Sequence, residues 1–387
     1  MKRALLLQNL MEFPSMSVRR YAEALCRAME GVAERSGWAV RMPEVHQSAG
    51  LAKVVGGSNA SRWARLVRYP KLIKGWREEM ERVGGPGVCH VLDHSHANLL
   101  KACDPTSSVI TVHDVIPMMS ALGELDFRVK RRVRYTFPRK LRQIEKCAAV
   151  IAISHCTKRL LLRFADMPAE RVHVVHHGVS SVFDGEVREG EREAVRERHG
   201  IEGSRRVVLH VCTRNRYKNS PALLRMLRRL PDEFVLLRVG VELFEDERAL
   251  ADDLGVSGRV INAGRVEGDA GLAAYYRSAD AFAFPSTFEG FGWPPLEAMA
   301  CGCPVVAGDA ASLPEVVGDD GEHGPAGGLL VDPQDDQALA SAVERLVGER
   351  EAFRAKSLAR AARFTWDACA MNTAGVYDAV VGGGAAR

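Results

Sequence analysis

The sequence predicts an α/β protein with two domains, each built on a parallel sheet. Short apolar runs alternate with helical patterns in both halves of the chain, and runs that are apolar on both faces are typical of parallel strands covered by helices on each side. A length of 387 residues suits two domains better than one. The stretch 177–203, polar and charged, separates the two sets of runs, so we expect it to connect the domains.

Ten apolar runs are expected to form strands. In the first half these are Ala4–Leu7, Val88–Leu92, Val109–Val112, Val150–Ile153 and Val172–Val175. In the second half they are Val207–Val211, Phe234–Val239, Val260–Ile261, Ala281–Phe284 and Pro304–Ala307.

Composition narrows the class of protein. No run of 18 or more apolar residues is present, so the sequence predicts no membrane-spanning helix. The N-terminal apolar stretch stops at Gln8 and has no small-residue cleavage site after it, so we interpret it as a strand and expect a cytoplasmic protein. The nine cysteines are scattered, which is typical of reduced thiols. Cys301 and Cys303 have no second Cys/His pair at zinc spacing, so no metal site is expected.

The charge is uneven along the chain. Residues 1–180 carry 29 basic and 16 acidic residues, whereas the other 207 residues carry 24 and 33. Two basic stretches account for much of the excess: 62–77, interleaved with two tryptophans, and 128–142, which has eight basic residues and no acid. Such segments suit an anionic membrane surface or a polyanionic acceptor, and a solvated face is the alternative. Neither stretch lies in a nucleic-acid-reading motif, so nucleic acid is not an expected partner.

Two carboxylates, Glu289 and Glu297, flank the turn Gly290–Gly292 in the stretch EGFGWPPLE. A strand precedes this turn, and Pro294 and Pro295 predict the first turn of a helix after it. The region between a strand's carboxyl end and a helix's amino end is where open α/β sheets bind ligands and where an anion is favoured. The two acids therefore predict recognition of hydroxyl groups on either side of a phosphate. The alternative is a helix-dipole partner followed by a solvated helix residue.

The stretch PSTFEGFGWPPLEAMACGCPVVAGDAASLPEVVGD resembles the donor-site signature of retaining family-4 glycosyltransferases, which have the GT-B fold. Further stretches resemble the family in the same order along the chain: 109–118, 150–161, 172–179, 209–219 and 260–286. The resemblance implies two Rossmann-like domains that face each other across a cleft. The expected first domain, on the acceptor side, spans 1–180, and the expected second domain, which binds the nucleotide-sugar donor, spans 204–365. Residues 366–387 are expected to form a crossover helix and tail that return to the first domain.

The resemblance also implies roles for particular residues. Glu289 is similar to the acid beside the donor sugar, with Gly290, Phe291 and Gly292 offering backbone N–H groups, and Glu297 is similar to the ribose ligand. The loop TRNRYKN holds the cations that would bind the diphosphate. These are Arg214 and Lys218, with Arg216 as a rival to Arg214. Fixed cations stabilise the charge that grows on a departing diphosphate, so neither a metal nor a cofactor is expected beyond the co-substrate, a UDP or GDP sugar.

The acceptor side is expected in the first domain. His113, in TVHDVIP, resembles the histidine that lies close to the transferred sugar in the family. His94 and His96 are candidates for acceptor binding, although a polar loop explains them equally well. Many relatives have a glycine pair in the first strand-to-helix loop, whereas this chain has Ser15 and Ser17 there, which can cap the next helix. Acceptor chemistry is therefore not transferred from the family.

The function expected from these residues is hexosyl transfer with retention from a nucleotide-diphosphate sugar to a hydroxyl of a glycan, lipid-linked or small-molecule acceptor, in the cytoplasm or at the inner face of the membrane. The alternatives are a nucleotide-sugar epimerase or hydrolase on the same fold, and a binding protein without transfer activity. A dinucleotide-dependent dehydrogenase is disfavoured because no GxGxxG follows an early strand.

Overall fold

The computed structural model describes residues 1–7, 16–42, 69–125, 133–213, 215–318 and 325–383. The chain divides into two compact units. The first contains the described residues up to Gly178, apart from Leu125, and those from Trp366 onward. The second contains Leu125 and Val179–Thr365.

Each unit is built on a six-stranded parallel sheet, as the sequence predicts. The strand order is β2-β1-β3-β4-β5-β6 in the first unit and β12-β11-β10-β7-β8-β9 in the second. The first sheet comprises β1 (Lys2–Leu7), β2 (Trp38–Arg41), β3 (Val88–Val91), β4 (Ser108–Val112), β5 (Ala149–Ala152) and β6 (Val172–Val174). The second comprises β7 (Arg206–Cys212), β8 (Phe234–Gly240), β9 (Val260–Gly264), β10 (Ala281–Phe284), β11 (Val305–Gly308) and β12 (Leu329–Val331).

All ten expected strands are present, and the sequence missed only β2 and β12 among the strands of the described residues. Both lie at a sheet edge, and most of their residues are only half-buried. The interior strands β3, β4, β5, β10 and β11 are buried at every position. Interior strands therefore carry the continuous apolar runs that make them visible in the sequence.

Helices cover both sheets. In the first unit they are α1 (Met16–Gly31), α2 (Ala33–Ser36), α3 (Tyr69–Arg82), α4 (Ile116–Ala121), α5 (Val133–Ile144), α6 (His155–Phe164) and the last helix of the chain, α15 (Trp366–Gly383). In the second unit they are α7 (Glu191–Arg198), α8 (Ser220–Arg229), α9 (Glu245–Asp253), α10 (Gly268–Ser278), α11 (Trp293–Ala300), α12 (Leu313–Val317), α13 (Asp336–Gly348) and α14 (Arg350–Ala361). Short 3-10 helices span His94–Ala102, Pro105–Ser107, Ala169–Arg171, Arg216–Lys218 and Ser257–Arg259. Within the described ranges, the helices are all too short or too polar to cross a bilayer.

The C-terminal helix α15 is fixed to the first sheet by polar contacts. The Tyr377 hydroxyl lies 2.7 Å from His90 Nδ1, and the Thr111 hydroxyl lies 2.8 Å from His90 Nε2. The indole N–H of Trp38 donates to Asp378 at 3.0 Å. The last helix of the chain is therefore part of the first unit.

The segment 177–203, expected to be a connection, contains the helix α7 and belongs largely to the second unit. Arg277 on α10 donates two hydrogen bonds to the Glu191 carboxylate, at 2.6 and 2.7 Å. Arg192 on α7 donates at 2.7 Å to Asp280, which is 3% exposed and accepts the backbone N–H of Val207 with its other oxygen at 2.7 Å. Polar side chains therefore attach this segment to the second sheet, and a search for apolar runs does not detect them.

We predict that Asp280→Ala lowers the free energy of unfolding of the second unit by about 2–3 kcal/mol, because a buried N–H and a guanidinium lose their shared acceptor. Urea denaturation measures the loss. The control is Asp232→Ala, which removes a fully exposed carboxylate 3.8 Å from Arg259 and is expected to leave the denaturation midpoint nearly unchanged. Equal midpoints for the two variants would contradict the structural role of Asp280.

Candidate active site

The carboxyl ends of the neighbouring strands β7 and β10 bring together two residues that are far apart in the sequence. Lys218 follows β7, and Glu289 follows β10. The Lys218 ammonium donates to Glu289 Oε1 at 2.6 Å, and the two side chains are only 9% and 12% exposed. The pair lies at the edge of an open parallel sheet where ligands bind.

The acid of this pair is held in place by its neighbours. The Ser286 hydroxyl lies 2.6 Å from the same Glu289 oxygen that accepts from Lys218. The Ser312 hydroxyl lies 2.7 Å from the Phe291 carbonyl and 3.0 Å from the Glu289 carbonyl, so α12 and the turn are connected. The Lys218 ammonium also lies 4.7 Å from the centre of the Phe284 ring, a cation–π contact. The carboxylate and the ammonium are therefore pre-organised.

The glycine turn between the two acids has a backbone conformation that requires glycine at one position. Gly292 has φ +122°, a value that side-chain-bearing residues rarely adopt, and a Cβ there would lie 3.0 Å from Leu313. The helix α11 begins at the next residue, with Pro294 and Pro295 in its first turn. The turn therefore lies between the end of β10 and the N-terminus of α11, which is the positive end of the helix dipole.

Glu297 lies one turn into α11 and is 3% exposed. The Tyr276 hydroxyl donates to its Oε2 at 3.2 Å. The alternative of a solvated helix residue is therefore wrong, because the carboxylate is buried and hydrogen-bonded. The role of ribose ligand stays a prediction.

Of the three cations expected to bind the diphosphate, the structure describes Arg216 and Lys218, and their environments differ. Arg216 pairs with Asp246 at 2.8 Å, lies over the Phe244 ring and is 46% exposed. Arg214 lies outside the described residues. Lys218 is the cation that the structure places beside Glu289.

Sequence reasoning missed a second buried cation, Arg238 on β8, which is 2% exposed. Its guanidinium donates to Asn262 at 2.9 Å, to the Cys212 sulfur at 3.5 Å and to the hydroxyl of Ser220, the first residue of α8, at 3.4 Å. Among the residues that the structure describes, Arg238 has no carboxylate within ion-pair distance. The signal in the sequence was one charged residue inside the apolar run FVLLRVG.

In the first unit, the carboxyl ends of β3 and β4 bring His94, His96 and His113 together. His113 Nε2 donates to the Leu92 carbonyl at 2.9 Å. The backbone N–H of His113 donates to His94 Nδ1 at 3.3 Å. The three histidines that the sequence proposed are therefore neighbours at one edge of the sheet.

Asp93 is the buried anion of this cluster, and the sequence did not single it out. It accepts from His96 Nδ1 at 3.0 Å and from the backbone N–H of Ser95 at 2.8 Å. Burial alone would raise the pKa of the Asp93 carboxyl, but the hydrogen bond from His96 and the nearby His94 and His113 outweigh it and hold the pKa well below its usual range. In the sequence, the feature that could have indicated Asp93 is its position as an acid directly after a predicted strand.

Two histidines of the cluster are set to be neutral at pH 7. Burial lowers the pKa of His94 to about 4, against the opposing charge of Asp93. Burial also lowers the pKa of His113, although Asp93 and the Leu92 carbonyl act in the opposite direction.

Of the two serines proposed for the acceptor side, the structure describes Ser17 but not Ser15. Ser17 lies in the first turn of α1, which begins at Met16, so Ser17 does not precede the helix as a cap would. Ser15 lies outside the described residues, as do the rest of the loop 8–15, positions 62–68 of the first basic stretch and positions 128–132 of the second.

Two family models match the chain: "Glycosyltransferase Family 4" over residues 18–183 and "Glycosyl transferases group 1" over 191–363. The two matches cover most of the chain, one in each half. The O-antigen chain mannosyltransferase B of Escherichia coli is 29% identical over 83% of this chain and 84% of its own length. The serotype-specific mannosyltransferase WbdA of Escherichia coli is 28% identical over 68% of this chain, which spans only 32% of that longer protein.

The crystal structure of HepE from Anabaena, solved in complex with UDP and glucose, has a TM-score of 0.69 and 20% identity to this chain, covering 97% of it and 99% of HepE. Together with the two six-stranded parallel sheets, this likeness defines the class: the chain has the GT-B fold of glycosyltransferases. Within that class, the chain belongs to glycosyltransferase family 4, and both the predicted fold and the predicted family are confirmed.

We predict that Glu289→Gln lowers the unfolding free energy by about 3 kcal/mol, because the buried Lys218 ammonium loses its counter-charge. Inorganic pyrophosphate should then raise the melting temperature of the variant more than that of the wild type, since it replaces the missing anion. Differential scanning calorimetry measures both effects. The control, Glu23→Gln, removes an exposed partner of Arg19 and should change little. A variant as stable as the wild type would contradict the buried pair.

Proposed function

We propose that this glycosyltransferase moves a hexosyl group, with retention of anomeric configuration, from a UDP or GDP sugar to a hydroxyl group of an acceptor. The observation that carries the proposal is the buried Lys218–Glu289 pair at the carboxyl edge of the second sheet, directly before the glycine turn and α11. The pair presents a cation for a diphosphate and an acid for sugar hydroxyls within one small site.

The second unit supplies the proposed donor site. Lys218, together with Arg214, binds the diphosphate, and Glu289 and the turn Gly290–Gly292 contact the sugar. Glu297 takes the ribose, with its carboxylate oriented by the hydroxyl of Tyr276. His113 is the proposed contact of the first unit with the transferred sugar.

The proposed chemistry needs little from the protein beyond fixed charge. The bond between the anomeric carbon and the diphosphate oxygen breaks, a bond from the acceptor oxygen to the same carbon forms, and the acceptor proton leaves with the products. Negative charge grows on the diphosphate while the sugar becomes oxocarbenium-like. Lys218 is already ordered and desolvated, so it stabilises that charge without reorganisation, and the buried charge of Arg238 acts in the same direction. The proposed reaction uses neither a metal nor a cofactor.

The names of the relatives favour a glycan acceptor. The mannosyltransferase from Escherichia coli acts, by its name, on the O-antigen chain, and HepE was solved with UDP and glucose. We therefore propose a role in polysaccharide or glycolipid biosynthesis, with a glycan or lipid-linked acceptor preferred over a small molecule.

A direct test of this function is to incubate the protein with UDP and GDP sugars and to measure the released nucleotide diphosphate with and without glycan acceptors. Acceptor-dependent release supports transfer. Equal release in both cases supports a hydrolase, and binding without release supports a nucleotide-sugar-binding protein.

For Lys218→Ala we predict a loss of turnover of about 10²–10³-fold with a much smaller loss of donor affinity, because the cation opposes charge that is largest in the transition state. Steady-state kinetics give turnover, and isothermal titration calorimetry gives the affinity for the nucleotide sugar. Arg216→Ala, which removes a surface cation already paired with Asp246, is the matched comparison and is expected to have the smaller effect. If Lys218→Ala raises only the Michaelis constant, the proposed electrostatic role is wrong.

The basic helices of the first unit are proposed to contact an anionic surface at the cytoplasmic face of a membrane. Lys71 and Lys74 on α3, and Arg139 and Arg142 on α5, are exposed. Each such residue near an acidic bilayer contributes about 1 kcal/mol, and salt screens the attraction.

We expect the wild type to sediment with vesicles that contain acidic lipid and to be released as salt increases. Replacing Lys71, Lys74, Arg139 and Arg142 with Gln should release it at low salt. A control with the same charge loss replaces four exposed cations of the second unit, Arg228, Arg345, Lys356 and Arg363. Wild-type protein that stays in the supernatant with acidic vesicles at low salt would rule out membrane contact.

A further inference from the structure

The segment that follows β3 holds a histidine nitrogen whose hydrogen-bonding state the structure determines. β3 lies between β1 and β4 in the first sheet, and the segment begins with Asp93, two residues after the strand ends at Val91. Asp93 caps the 3-10 helix His94–Ala102. This position, at the carboxyl edge of an open parallel sheet, is where such folds bind ligands.

The two oxygens of Asp93 have different hydrogen-bond partners. Oδ1 accepts the backbone N–H of Ser95 at 2.8 Å. Oδ2 lies 3.0 Å from His96 Nδ1 and accepts the Ser95 hydroxyl at 2.5 Å. An ionised carboxylate only accepts, so the proton of a neutral His96 ring must be on Nδ1. In that neutral ring the other nitrogen, Nε2, carries a lone pair and no proton.

His96 Nε2 differs from the corresponding atoms of the neighbouring histidines. His94 Nδ1 accepts from the backbone of His113, and His113 Nε2 donates to the Leu92 carbonyl. His96 is 2% exposed, and over the described part of the chain no group is within hydrogen-bonding distance of its Nε2. A buried acceptor without a donor is destabilising, and a hydroxyl or amide N–H would relieve that cost.

We propose that His96 Nε2 accepts a hydrogen bond from a hydroxyl group of the acceptor substrate, and that Asp93 is the positioning residue that keeps the ring in the accepting tautomer. The inference rests on the proposed transferase function and specifies the acceptor side of it. The ligand must offer a proton, as the hydroxyl groups of a glycan do, because a carbonyl or carboxylate oxygen has none to donate to this nitrogen.

Asp93→Asn tests the proposal through the tautomer. The backbone N–H of Ser95 needs an oxygen, so the amide oxygen of the variant stays at the Oδ1 position and the NH₂ group takes the place of Oδ2. This NH₂ donates to His96 Nδ1, which moves the ring proton to Nε2 and turns the proposed acceptor atom into a donor. Nitrogen-15 NMR of the imidazole rings at neutral pH reports this change directly.

The expected result is a Michaelis constant for the acceptor raised about tenfold or more, with the affinity for the nucleotide sugar unchanged by calorimetry. His96→Phe, which keeps a planar ring but has no nitrogen, should give the same split. The matched control is Asp104→Asn. Asp104 accepts from the backbone N–H of Thr106 at 2.9 Å and from its hydroxyl at 2.8 Å, in the same capping arrangement without a histidine.

Three results would overturn the proposal. The first is a wild-type spectrum with the His96 proton on Nε2. The second is an unchanged acceptor constant in Asp93→Asn after the tautomer has moved. The third is an unchanged constant in His96→Phe, which decides the question where Asp93→Asn does not fold. A wild type that transfers to no acceptor contradicts the proposed function itself, whereas active wild type with unaffected variants contradicts only the role of His96.

Discussion

The parallel pairing of the strands is the constraint on which both candidate sites depend. Because all strands of a sheet run in one direction, their carboxyl ends lie along one edge, and residues that follow different strands meet there. Lys218 and Glu289 meet beyond β7 and β10, and Asp93 and His113 meet beyond β3 and β4. A strand of the opposite direction would send one member of each pair to the far side of its sheet.

The two sites share a second property, which is that their charges are buried and already hydrogen-bonded. Lys218 has Glu289 and the ring of Phe284, and Asp93 has His96 and the N–H of Ser95. Removing water from these groups is costly, and the fold bears that cost before any substrate binds. In the proposed function, an incoming diphosphate would therefore meet an ammonium that is already buried and needs no further desolvation.

The sequence predicted the parts of the molecule that depend on local pattern. Ten of the twelve described strands were recognisable as apolar runs, namely the eight interior strands, which are buried on both faces, and the edge strands β6 and β9. The glycine turn with its prolines marked the helix α11. Partners that come from distant elements were not predictable in this way. The Lys218–Glu289 contact joins residues 71 positions apart, and the Tyr276 hydroxyl that holds Glu297 comes from another helix.

The resemblance to a family named Lys218 and Glu289, but it did not name Asp93 or Arg238, whose importance comes from burial. The helix α7 was missed because most of its residues are charged, and the edge strands β2 and β12 offered apolar runs of only three residues.

The placement of α15 has a consequence for how the protein folds during its synthesis on the ribosome. The second unit is almost continuous in the chain, so it is complete once residue 365 has been synthesised. The first unit begins the chain but also needs its last helix, because His90 and Trp38 find their partners on Tyr377 and Asp378. The first unit therefore closes only after the second unit has been synthesised, and until α15 is made His90 and Trp38 lack the partners that this eighteen-residue helix supplies.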